Sequence, residues 1–266
     1  MHKKNSWKKA LTTVVGHTPP PDSVELRNSF IEGCLLDKDG KPITQHVLHE
    51  TMQEFVFDRM MAKERRIMLL CPYNSGKSQQ FPIALLVYLS TRKPELEHLI
   101  ISADAQLAGK RITAIRDMVE SREYNYWCKQ NNMLPLSYSR KDTGSTEKII
   151  FESKNRTGNP SVEAHGVLTG GAGQRASYLW LDDICSDKDR QSKAHRENVY
   201  TRTSNIWMKR LHDDGVTVAV ATPYHEEDAN MRFAADGTFN TLRIAVNNNK
   251  DGYIVEEYYS DPIEDI

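Results

Sequence analysis

The stretch Arg66-Ile67-Met68-Leu69-Leu70-Cys71-Pro72-Tyr73-Asn74-Ser75-Gly76-Lys77-Ser78 decides the fold. An apolar run suited to a buried strand ends in a loop of small residues, and Gly-Lys-Ser stands where a helix begins. That is the layout of a phosphate-binding loop, in which amides and a lysine surround phosphates while a hydroxyl holds Mg²⁺. The usual pattern G-x-x-x-x-G-K-[ST] is broken once, because Cys71 takes the place of its first glycine. The candidate nucleotide-binding residues are therefore Pro72, Tyr73, Asn74, Ser75, Gly76, Lys77 and Ser78, with Ser78 also a candidate Mg²⁺ ligand. A bare Gly-Lys-Ser arises by chance in roughly one chain in ten at ordinary composition. The loop needs a second half.

That half is Tyr178-Leu179-Trp180-Leu181-Asp182-Asp183-Ile184. A mostly apolar run reads as a core strand of a parallel sheet, and two carboxylates emerge at its C-terminal end, where ligands of such sheets gather. Asp182 is suited to hold Mg²⁺, and Asp183 to accept a proton from an attacking water. An acidic turn after a strand is the plain alternative, and its pairing with Lys77 and Ser78 argues against that.

Further short, β-rich pieces occur at Leu99–Ser102, Lys148–Glu152, Val216–Ala221 and Leu242–Val246. Helical patterns at 44–63, 79–90, 105–120 and 193–211 separate several of them. The alternation predicts an α/β fold with a mainly parallel central sheet and helices on both faces, of the P-loop NTPase type. Lys148–Glu152, beside polar Asp142-Thr143-Gly144, is expected at a hairpin or edge. Residues 1–45 read as an N-terminal arm, 46–250 as the ATPase domain, and 251–266 as a tail or the start of a linker.

The 266 residues carry 27% charged and 39% hydrophobic side chains, as an ordinary globule does. No apolar run reaches the roughly 18 residues of a membrane span, and no apolar segment follows the basic start, so neither a membrane partner nor a secretory signal is expected. Cys34, Cys71, Cys128 and Cys185 are widely spaced, which favours reduced thiols in a cytosolic compartment over a zinc site. A net charge of −1 gives no global nucleic-acid signature, so DNA contacts would come from local patches. Candidates are Lys3, Lys4, Lys8 and Lys9, and Lys188, Arg190, Lys193 and Arg196, although such runs are more often solvated surface.

Three other positions are candidates. Thr222, or His225, ends a second core strand and is placed to sense a terminal phosphate. Arg175 closes the glycine-rich loop from Gly166 and has the planar fork that phosphates accept. Gln53 carries an amide able to pair with an adenine edge. A turn, an idle surface arginine and a surface glutamine are the respective plain readings.

Taken together, the segments resemble the large subunit of tailed-phage terminases, the DNA-packaging motor. Cys71–Ser78 looks like that family's deviant phosphate loop. Gly166 through Ile184 is similar to its glycine-rich loop with an arginine ahead of an Asp-Asp strand end. Thr222-Pro223-Tyr224-His225-Glu226-Glu227-Asp228 looks like its coupling segment. The order and approximate spacing match over about residues 44–246.

The resemblance implies an ASCE-type ATPase using ATP and Mg²⁺, assembled as a homo-oligomeric ring around double-stranded DNA. It implies a portal protein and a small terminase subunit as partners, in the host cytoplasm. By position, Lys77 would bind phosphate, Ser78 and Asp182 would hold Mg²⁺, and Asp183 would orient or deprotonate water. Thr222 would couple phosphate state to movement, Gln53 would touch adenine, and Arg175 would reach a neighbouring subunit's nucleotide.

The departures are specific. Pro72 and Tyr73 stand where the family's loop often carries arginine, which shifts weight to Arg175. Asp183 stands where many such ATPases have glutamate, leaving Glu147 and Glu163 as fallback bases. The family's nuclease domain is not matched, and about twenty residues after the last core strand are too few to build one, so no DNA cleavage is expected. Two other readings stay open: a helicase-like ATPase, which would normally need a second sheet domain, and an ATP-binding scaffold with little turnover.

Overall fold

The computed structural model describes residues 20–37, 39–138, 147–152, 159–170, 175–246 and 253–258, the last segment and Val246 by backbone alone. Lys3, Lys4, Lys8 and Lys9, Asp142–Gly144, Gly171–Gln174 and the stretch after residue 258 lie outside the described residues.

The helices are α1 (Val24–Cys34), α2 (Val47–Met61), α3 (Lys77–Gln79), α4 (Leu86–Arg92), α5 (Ala105–Glu120), α6 (Arg122–Gln130), α7 (Asp187–Gln191), α8 (Lys193–Arg202) and α9 (Ala229–Ala235). The strands are β1 (Arg66–Leu70), β2 (His98–Ser102), β3 (Lys148–Ile149), β4 (Val162–Gly166), β5 (Ala176–Asp182), β6 (Leu211–Ala221), β7 (Asn240–Val246) and β8 (Tyr253–Tyr258). They form one eight-stranded sheet in the order β3-β4-β2-β5-β6-β1-β7-β8. The six inner strands run parallel, and β3 and β8 pair antiparallel at the two edges.

Why the sheet is covered on both faces is legible in its strands. Successive side chains of a strand point to opposite faces, so a doubly covered strand is apolar at every position. Ile67, Leu69, Ile100, Trp180, Val218 and Val220 pack on one face with Phe30, Met52, Phe81, Ile112 and Trp127. Met68, Leu70, Ile101, Leu179, Leu181 and Ala219 pack on the other with Val199, Trp207 and Phe233. Helices α1 to α6 thus cover one face, and α8 and α9 cover the other.

The segment expected to be helical from residue 79 runs as α3, a π-helical stretch Gln80–Leu85, and α4. Pro82 lies inside it and has no N–H to give, so the wider turn accommodates it.

The structure corrects several expectations. Residues 24–34, read as part of an arm, form α1, which buries Phe30, Ile31 and Cys34 in the core. Its first turn is held by Ser23, whose side chain accepts from the Leu26 N–H, and Arg27 is ion-paired to Asp22. The helix expected over 193–211 ends earlier, in a π stretch Thr203–Trp207 and a short 3-10 turn, and Leu211 already belongs to β6. There β6 shifts register against β5. Strand β4 was missed because its VEAHG run is only half apolar, yet its alternation buries Val162, Ala164 and Gly166. β8 lies within the stretch read as a tail and pairs with β7 from Thr241 to Val246.

Candidate functional site

The site lies at the C-terminal ends of the parallel strands, where β5, β6 and β1 stand side by side. The loop after β1 begins at Cys71, whose N–H donates to the Ala221 carbonyl at 2.9 Å and so ties the loop's root to the end of β6. The Cys71 thiol is pushed up to about 12 by burial and packs against the Met52 sulfur, so it serves as a small apolar wall. Asn74 has φ 60° and Gly76 φ 74°, left-handed angles that fold the chain back on itself over three residues. A Cβ on Gly76 would also stand 3.0 Å from His49 Nε2, so the position is closed to side chains twice over.

From Tyr73 to Lys77 the amides donate to no carbonyl among the described residues. They lie at the start of the long helix that α3 opens, and unpaired amides there bind anions.

Asp183 follows β5 with φ 46°, a strained angle for a residue with a side chain. Its N–H bonds the Val220 carbonyl at 2.9 Å, which fixes it against β6. The carboxylate takes two partners: Lys77 Nζ lies 3.2 Å from Oδ2, and the Thr222 N–H donates to Oδ1 at 2.9 Å. Lys77 Nζ also donates to Thr222 Oγ1 at 2.8 Å. Burial pushes the Asp183 carboxyl above the ordinary aspartate range, against the pull of Lys77.

Asp182 is fully buried. Its Oδ2 accepts from Arg111 Nε in a close ion pair, and its Oδ1 has no partner among the described residues. Ser102 pairs with Asp182 in register across β2 and β5, and its buried hydroxyl has no partner among the described residues either. The Ser75 hydroxyl is a third such group. Buried polar atoms are ordinarily satisfied, so the unmet Ser75 hydroxyl that lines the cleft, with Asp182 and Ser102 behind it, suits a polar guest. The carboxylate oxygen of Asp182 and the hydroxyl of Ser78, a residue lining the cleft, are donor types that suit a hard cation such as Mg²⁺, which draws its other ligands from phosphates and water.

The cleft has a volume of about 610 Å³. Tyr73 to Gln79 form one wall; Asp104, Leu107, Lys110 and Arg111 of the α5 region form another, and Asp183, Ser186 and Tyr224 close it. The structure therefore gathers Tyr73, Asn74, Ser75, Gly76, Lys77, Ser78, Asp183 and Thr222 at one point, with Asp182 beneath.

Six further sequence candidates are not among the residues that line the cleft. Pro72 does not line the cleft. Gln53 is buried, and its amide donates to Gln80 at 2.6 Å and Gln45 at 3.3 Å; with the Gln80–Gln45 bond of 2.7 Å this closes a ring of three glutamines. The Gln53 amide nitrogen is thereby committed within the ring. Arg175 stands just before β5, at the opposite end of the strand from Asp182, exposed and 3.7 Å from Asp213. It contributes nothing to this chain's own cleft. The fallback acid Glu163 pairs with His165 at 3.0 Å and sits opposite Leu99, near the start of β2 and away from the cleft. Glu147 lies beside it at the sheet edge, its carbonyl accepting from Ala164 N–H. His225 accepts the Glu227 N–H in the turn that Asp228 caps.

Sequence reading missed Arg111, Lys110 and Ser102. The signal is positional: α5 starts directly after β2, so its first turns overhang the C-terminal edge. Only the strand order, with β2 beside β5, brings them to Asp182.

Sheet, phosphate loop and strand-end acids define the P-loop NTPase fold. In structure the chain is similar to the HK97 bacteriophage large terminase, with a TM-score of 0.55 at 12% identity, over 80% of this chain and 41% of that one. It also aligns with the ATPase domain of the Thermus phage P74-26 large terminase, at a TM-score of 0.40 and 15% identity, over 77% of this chain and 70% of that one. The chain spans about two fifths of the HK97 protein's length. No family model and no curated protein matches the sequence.

Proposed function

We propose that the chain is the ATPase portion of a DNA-packaging motor of the large-terminase kind, hydrolysing ATP with Mg²⁺ and moving double-stranded DNA. The observation that carries this reading is the contact of Lys77 with both Asp183 and Thr222 beneath a loop of unpaired amides. The fold likeness to the HK97 protein supports it.

In this reading the loop amides and Lys77 hold the β- and γ-phosphates and spread the charge that builds on them during transfer. Asp183, whose carboxyl burial raises above the ordinary aspartate range, aligns a water with the γ-phosphorus and takes its proton. Its bond to the Thr222 N–H holds the acceptor oxygens in a fixed direction. Ser78 and Asp182 would hold Mg²⁺, which when bound neutralises phosphate charge. Thr222 touches both Lys77 and Asp183, so loss of the terminal phosphate is felt by β6 and the Tyr224–Asp228 turn behind it. Arg175, exposed at the far edge, is left for a neighbouring subunit's nucleotide in a homo-oligomeric ring. Portal protein and small terminase subunit are the partners that role requires, and the host cytoplasm is its place. Among the described residues no helix is long and apolar enough to cross a membrane.

The test is steady-state ATP hydrolysis against protein concentration, with and without double-stranded DNA. Turnover that needs Mg²⁺, rises with subunit concentration and is stimulated by DNA is expected. Turnover that Lys77→Ala leaves intact would remove the ATPase reading.

A further inference from the structure

We propose that Arg111 supplies, within the same chain, the guanidinium that reads the γ-phosphate, a role that no residue of the phosphate loop can fill. The inference rests on the ATPase reading above and adds a residue to it.

The loop runs Cys71-Pro72-Tyr73-Asn74-Ser75-Gly76-Lys77-Ser78 and contains no arginine. Its one cation, Lys77, is engaged by Asp183 and Thr222. Among the described residues that line the cleft, the guanidinium is that of Arg111, on the facing wall. Helix α5 is started by Asp104, whose side chain accepts the Leu107 N–H at 2.8 Å. Leu107, Lys110 and Arg111 then follow at helical spacing along the face that lines the cleft.

Arg111 is held at one end only. Its Nε binds Oδ2 of Asp182, a fully buried carboxylate that needs a cation beside it. A guanidinium has five N–H donors in one plane, so this bond leaves four. Nη1 and Nη2 make no other hydrogen bond or ion pair among the described residues, and neither is buried without a partner. The side chain keeps 17% of its surface exposed, in the cleft itself.

An arginine fixed through Nε with both terminal nitrogens unspent is pre-aimed, and little of its rotamer freedom remains to be lost on binding. Arg111 lines the same cleft as Lys77 and Asp183, so a terminal phosphate held by those two comes within reach of the free fork. It would tell a nucleoside triphosphate from a diphosphate. An arginine serving only to neutralise Asp182 would treat the two alike.

Binding to the full chain decides between them. Affinities for a non-hydrolysable ATP analogue and for ADP, each with Mg²⁺, are measured by titration calorimetry for wild type, Arg111→Gln, Arg111→Lys and Lys77→Ala. In Arg111→Gln, ADP affinity should stay within about threefold while analogue affinity falls about tenfold or more, the scale of one charge-assisted hydrogen bond. Arg111→Lys keeps the charge but not the fork and should lose the same preference in part. Equal losses for both nucleotides, or none, overturn the proposal. If Arg111→Gln does not fold, Arg111→Lys is judged by the same ratio, and an unchanged ratio overturns it. Wild type that binds neither nucleotide sinks the ATPase reading itself. Wild type that binds both, with Lys77→Ala weakened for both, shows that reading intact whichever way Arg111 falls.

Discussion

Lys77 follows β1 and Asp183 follows β5, two strands away, yet Nζ and Oδ2 stand 3.2 Å apart. The residue that closes the gap is Thr222, at the end of the intervening β6, which bonds the lysine through its hydroxyl and the aspartate through its amide. No local sequence pattern sets this contact. The strand order does. Replacing Lys77 by alanine removes the cation from a carboxylate whose charge burial already disfavours. ATP hydrolysis should fall by about a hundredfold or more, the scale of losing one group that stabilises developing charge. A coupled-enzyme assay of the purified variants checks it, and a loss below about threefold would contradict it.

The raised Asp183 carboxyl also sets a pH dependence. A proton acceptor works only when ionised, so kcat/KM should fall on the acid side with a midpoint above the ordinary aspartate value of about 4. Asp183→Asn should lose about a hundredfold or more in rate, and that limb with it. The stability sign follows from the same shift. A carboxyl raised in the folded state stabilises the fold below its unfolded pKa, and that contribution is lost as pH rises through the folded value. Urea melts should therefore show wild type losing ground to Asp183→Asn as pH rises above about 4. A gap that does not change with pH would be the contrary result.

His49 gives the opposite sign. Its Nδ1 accepts the His46 N–H at 3.1 Å, its ring is hydrogen-bonded to the Ser75 backbone, and burial lowers its pKa. The fold holds the neutral ring between the start of α2 and the phosphate loop. A histidine lowered in this way contributes stability above its unfolded value of about 6.5, lost as pH falls through the folded one. The difference in stability between wild type and His49→Ala should be about 1 kcal/mol near neutrality and shrink toward pH 5, as chemical denaturation at several pH values would record. The variant should also bind nucleotide more weakly, since Gly76 packs against that ring. An unchanged difference across that range contradicts the assignment.

How much of this could be read from the sequence differs by element. The apolar runs of β1, β2, β5 and β6 are doubly buried strands, and their periodicity is unambiguous. The placement of Lys77, Ser78 and Asp183 at one cleft was legible too, because their motifs need only a strand and a turn. The surroundings of Gln53 were not legible because burial of an amide depends on what packs against it: Gln45 and Gln80 are 8 and 27 residues away along the chain. Arg111 was invisible because its partner lies 71 residues on, across a strand pairing that sequence does not order. Strand β4 was hidden by Glu163 and His165, half-buried polar residues 3.0 Å apart that alternate with buried Val162, Ala164 and Gly166.

Arg175 separates what one chain does from what a ring would do. It is exposed, its contact with Asp213 is long at 3.7 Å, and it lies at the end of β5 away from the cleft. Surface pairs of this kind contribute little, so Arg175→Ala should change the unfolding free energy by less than about 0.5 kcal/mol. Nucleotide affinity of the isolated subunit should not move either, because the side chain reaches no part of its own site. If a neighbour's nucleotide is its target, hydrolysis should match wild type at low protein concentration and fall behind as subunits associate. An arginine acting across an interface is worth about a thousandfold in the fully assembled state. Rate curves for wild type and variant that coincide over the whole concentration range would assign the arginine's work elsewhere, and leave Arg111 as the guanidinium that lines the cleft among the described residues.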